Sequence, residues 1–68
     1  MDNWQPVFKD SSPVRVEIVK AILEEKDIPA VVLNKQESVY KLHGAYEVLV
    51  PKNEFLKAIN IVKNEITF

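Results

Sequence analysis

The chain has no cysteine, one glycine and one histidine. Disulfides and thiolate metal sites are therefore excluded, and a lone imidazole cannot build a His-based metal centre. The single glycine, Gly44, leaves no glycine-rich loop to close around a phosphate. No apolar run approaches the ~20 residues that span a bilayer. Neither sign of charge is in excess: 9 Lys+Arg against 10 Asp+Glu give a net charge of −1. That balance lacks the basic footprint that nucleic acid or an anionic membrane attracts. No nucleic-acid partner, no membrane and no cofactor is expected. The residues Met1-Asp2-Asn3-Trp4 lack the basic and apolar regions of a signal peptide, so a cytoplasmic location is the expectation.

What remains is a chain of 68 residues, 47% apolar and 28% charged, a balance that a folded domain needs and a disordered segment does not have. One domain over 1–68 is expected. A domain this small buries only about 60% of the surface its unfolded chain exposes. Without staples, a dense core or self-association must stabilise it.

Four prolines punctuate the apolar patterning. Trp4 to Lys9 alternates as a half-buried strand does, and Pro6 demands an edge, a bulge or an unpaired side there. Ser12-Pro13 reads as an N-cap followed by proline at the first helical position. The helix that follows runs to Lys26. Val14, Ile18, Ala21 and Ile22 form its apolar stripe, widened by Val19 and Leu23, with Glu17, Lys20 and Glu24 towards water. Pro29 biases Ile28 away from helical angles, and Asp27 is the candidate for the left-handed cap.

Ala30 to Leu33 is apolar and β-branched, hence a strand. Asn34 to Gly44 is the longest connection. Ala45 to Val50 alternates again, with Tyr46, Val48 and Val50 towards the helices and Ala45, Glu47 and Leu49 away from them. Asn53 to Asn64 forms a second helix with the stripe Phe55, Ala58, Ile59, Val62 and, one turn on, Ile66. Leu56 and Ile61 flank it. Ile66 to Phe68 could continue the helix or make a very short last strand, and the strand is favoured.

This order predicts an α+β, ferredoxin-like split βαββα(β) arrangement, with an antiparallel sheet and two helices on one face. The last strand is short or absent. The uncovered face would carry Gln5, Val7, Lys9, Ala45, Glu47 and Leu49, together with an alternate set from Ala30 to Leu33.

The run Ser12-Pro13, Ile18-Val19-Lys20-Ala21-Ile22-Leu23-Glu24, Ile28-Pro29-Ala30, Val48-Leu49-Val50-Pro51 and Ala58 resembles the family of putative prokaryotic signal-transducing proteins, a domain of unknown function. The resemblance covers Trp4 to Val62 and implies a ferredoxin-like or GlnB-like fold. Asp27 stands where the family usually has glycine, and the cysteine-rich metal extension of some relatives is missing. The family supplies no catalytic residue to carry over.

Chemistry is sparse. His43, beside Gly44 with Tyr40 and Lys41 near it, could contact a ligand or shuttle a proton, but an exposed loop residue is the plainer account. Glu47 is better explained by pairing with Lys9 or Gln5 across strands than by acid catalysis. Glu24 and Glu25 diverge around the helix axis and cannot converge as a dyad. Lys9 to Ser12 precedes a helix N-terminus, where capping outweighs anion binding. Trp4 is a candidate interface anchor or a cover for the sheet end. The chain lacks the phosphate-loop arginine of acylphosphatase-type domains, the Cys-x-x-Cys of copper carriers and the basic aromatic sheet of RNA binders.

The leading expectation is a non-enzymatic regulatory module acting through protein–protein contacts, with a protein partner or self-association as a homo-oligomer. The alternative, which the GlnB-like resemblance implies, is a small-molecule sensor binding its ligand at the 34–44 loop. Candidate contact residues are Trp4, Tyr40, His43, Glu47 and Leu49; none is assigned to catalysis, cofactor or metal.

Overall fold

The computed structural model describes residues 3–34 and 45–68. Its elements are β1 (Trp4–Asp10), α1 (Pro13–Glu25), β2 (Val31–Asn34), β3 (Tyr46–Pro51) and α2 (Phe55–Glu65), with a 3₁₀ turn over Lys52–Glu54. The strands form one antiparallel sheet in the order β1-β3-β2. This α+β arrangement is consistent with the ferredoxin-like plan expected from the sequence.

Local chemistry accounts for the boundaries of α1. Ser12 has extended angles (φ −92°, ψ 119°), its Oγ accepts the Arg15 N–H at 3.3 Å, and Pro13 opens the helix. Asp10 Oδ1 accepts the Ser12 N–H at 2.8 Å and so holds the cap itself. At the other end Asp27 takes φ 65°, in the left-handed region. The Ile28 N–H then donates to the Leu23 carbonyl and the Asp27 N–H to the Glu24 carbonyl, both at 3.0 Å. This is a Schellman motif, and its apolar partners Leu23 and Ile28 are both buried.

Both helices pack on the same side of the sheet. Val16, Val19 and Leu23 from α1 and Ala58 from α2 join Val7, Ile28, Ala30, Val48 and Val50 in one core. Phe55, Ile59, Ile61, Val62, Ile66 and Tyr46 pack around it, as the alternation on β3 and the stripe on α2 predict. Lys26 Nζ and Glu65 Oε2, 3.1 Å apart, join the C-terminal ends of the two helices.

Three expectations are corrected. The α1 stripe is rotated: Val16, Val19 and Leu23 are buried, whereas Val14 is 66% and Ile18 43% exposed. Coupling of Leu23 to the buried Ile28 turns that side of the helix inward, and residues three and four positions apart follow it. In β1, Pro6 pairs with Leu49 and Phe8 with Val48, leaving Val7 as the extra residue of a bulge. Val7 and Phe8 both reach the core, and the alternation reverses on the N-terminal side of the bulge. Gln5 thus shares a face with Val50, and the expected placement of Gln5 and Val7 on the uncovered face does not hold. Finally, Ile66 to Phe68 form no strand. Ile66 is extended (φ −115°, ψ 114°) yet packs on the core, and the Phe68 ring lies 5.8 Å from that of Phe8. Their side chains bind to apolar partners in place of a backbone ladder.

Candidate functional site

The register determines what meets on the uncovered sheet face. Leu49 on β3 stands between Pro6 of β1 and Val31 of β2, Glu47 between Lys9 and Leu33, and Pro51 opposite Trp4. Of the candidate contact residues, Trp4, Glu47 and Leu49 are therefore brought to one face, with Trp4 and Leu49 on adjoining rows. Leu49 is only 6% exposed, and Trp4, Glu47, Val31 and Leu33 are half-buried. Lys9 directly opposes Glu47, the cross-strand position expected for a charge pair. Tyr40 and His43 lie outside the described residues, as do positions 35–44 of the expected 34–44 ligand loop, while Asn34 is the last residue of β2.

A second surface lies on the outer side of α1. Pro13, Val14, Ile18 and Ala21, with Glu17 at the margin, line an open, shallow apolar hollow. These positions recur at i, i+4 and i+7, on the opposite side from Val16, Val19 and Leu23. The sequence reading merged two stripes into one. The available signal was their sum: seven of the thirteen residues of α1 are Val, Ile, Leu or Ala, more than one packed face of a helix can absorb. Glu24 and Glu25 continue the exposed side beyond the hollow.

The near end of the sheet holds an open cleft lined by Asn3, Pro51, Lys52 and Asn53, where the Lys52 N–H donates to the Asn3 carbonyl at 2.6 Å. At the start of α1, Arg15 Nη1 meets Asp10 Oδ2 at 3.4 Å, and the guanidinium carbon lies 5.2 Å from the centroid of the Phe68 ring. Asp10 thus serves the Ser12 cap with one carboxylate oxygen and Arg15 with the other, which assigns the Lys9–Ser12 loop to capping as the sequence suggested.

Among the described residues no polar or charged side chain is buried, and no group of three or more His, Cys, Asp or Glu could hold a metal ion. No described helix is long and apolar enough to cross a membrane. The chemistry offered by the described surface is apolar contact and exposed charge. Comparison with curated proteins and with solved structures gives no match. The family comparison does: residues 4–66 match, and the chain, with its capped first helix and three-stranded sheet, belongs to the family described as putative prokaryotic signal transducing protein.

Proposed function

We propose that this chain is a non-enzymatic signalling module of the cytoplasm that works by protein–protein contact, with the outer side of α1 as its contact surface. The exposure of Val14 and Ile18 beside Pro13 and Ala21 carries this reading. Single exposed apolar residues are ordinary on a surface, but a contiguous apolar stripe on a well-capped helix marks a place where another surface gains by covering it. Covering Val14 and Ile18 would withdraw apolar area worth about 25 cal/mol per Å² from water. The uncovered sheet face is the weaker candidate because Leu49, at its centre, is already shielded.

The test is photo-crosslinking in the native cell, with benzoylphenylalanine in place of Ala21. Discrete adducts that vanish when Ile18→Asp is added are the expected result. Absence of any specific adduct overturns the reading.

A further inference from the structure

The outer faces of the two helices carry opposite charge. On α1 the hollow of Pro13, Val14, Ile18 and Ala21 is bordered by Glu17, with Glu24 and Glu25 beyond it, all exposed. On α2, Leu56 is 77% exposed, the highest value among the large apolar side chains of the described residues. Asn60 and Lys63 follow it at i+4 and i+7, opposite the buried Ala58, with Lys57 next to it in sequence and exposed. No ion pair among the described residues engages these glutamates or lysines, and Lys20, half-buried between Glu17 and Glu24, pairs with neither.

We infer that the occupant of the α1 hollow is the Leu56 side of α2 from a second copy of this chain, joined head to tail. The inference rests on the α1 reading above and names its partner. Charge complementarity selects this geometry. A contact of α1 with its own counterpart would set Glu17 and Glu24 against glutamates, and a contact between two α2 faces would set lysines against lysines. Only the unlike pairing places Leu56 in an apolar hollow while Lys57 and Lys63 approach Glu17, Glu24 and Glu25. The net charge of −1 shows that this comes from segregation of the two signs, not from an excess of one. Because the two surfaces differ, the contact is heterologous and leaves one free hollow and one free Leu56 on every pair, so association continues into a ring or an open chain.

Sedimentation velocity on the purified full-length chain tests this. The wild type is expected to associate with rising concentration, and added salt to weaken the association. Ile18→Asp disables the hollow and Leu56→Asp the projecting side chain; both sites are exposed, and circular dichroism confirms folding. Each variant alone is expected to weaken association by roughly tenfold or more. Mixed, they are expected to recover one contact and give a 1:1 species of twice the 7.8 kDa chain mass. Association that survives Leu56→Asp, or failure of the mixture to pair, overturns the inference. So does a wild-type chain that stays monomeric at high concentration. If crosslinking at position 21 then still captures a different protein, the contact surface stands and only its partner is wrong.

Discussion

The ring of Phe68 stands 5.8 Å from that of Phe8, inclined at 56°, so the end of the chain is anchored on its first strand. The Arg15 guanidinium carbon also lies over the Phe68 ring, 5.2 Å from its centroid. Phe68 is nevertheless 56% exposed, which limits the contribution. Phe68→Ala should lower stability by about 0.5–1.5 kcal/mol, the range of an aromatic pair. For a domain of this size each kcal/mol moves the melting temperature by about 4–8 °C. Thermal unfolding followed by circular dichroism measures it, and an unchanged midpoint would show the contact to be inert.

The rotated stripe on α1 makes a contrast between two neighbouring apolar residues. Leu23→Ala should cost about 2–5 kcal/mol, because it opens a cavity beneath the Schellman motif. A domain of this length has roughly 3–10 kcal/mol in total, so that variant approaches unfolding. Val14→Ala should change stability by less than about 0.5 kcal/mol. Urea denaturation of the pair distinguishes the observed rotation from the one the sequence suggests, which would have Val14 matter.

Asp27 holds φ 65° at the position where glycine is the least strained residue. Asp27→Gly should raise the urea midpoint by an amount equivalent to about 0.5–1 kcal/mol, and Asp27→Val should lower it by about 1–2 kcal/mol. A neutral valine substitution would show that the motif tolerates a β-branched residue in this conformation.

Much of the fold is legible because its punctuation is local. Ser12-Pro13 names its own cap and first helical residue, and Asp27-Ile28-Pro29 marks the stop. Tyr46, Val48 and Val50 alternate without interruption on the central strand. The misreadings arise where a tertiary choice is made between equally apolar alternatives. On α1, Val14 and Ile18 satisfy helical spacing as well as Val16, Val19 and Leu23 do, and only packing decides which side faces the sheet. On β1, Val7 looks like one more residue of an alternating strand; the bulge depends on how Phe8 meets Val48 from another part of the chain. The candidate site suffers from the same ambiguity, since the apolar hollow is the face of α1 that the core did not take. Glu47 and Leu49 fall on the uncovered face as their alternation predicts, whereas Trp4 joins them only because the bulge at Val7 reverses the alternation on its N-terminal side.

Pro6 and the neighbouring bulge at Val7 also govern what the border of the sheet can do. Among the described strands β1 is outermost, and such borders invite another chain to zip alongside by backbone pairing. A proline contributes no amide hydrogen to such a zipper, and the bulged residue breaks the even spacing a newcomer would have to match. Growth by strand addition is blunted along that margin. A second copy meeting that margin would find side chains to grip in place of a ready backbone template.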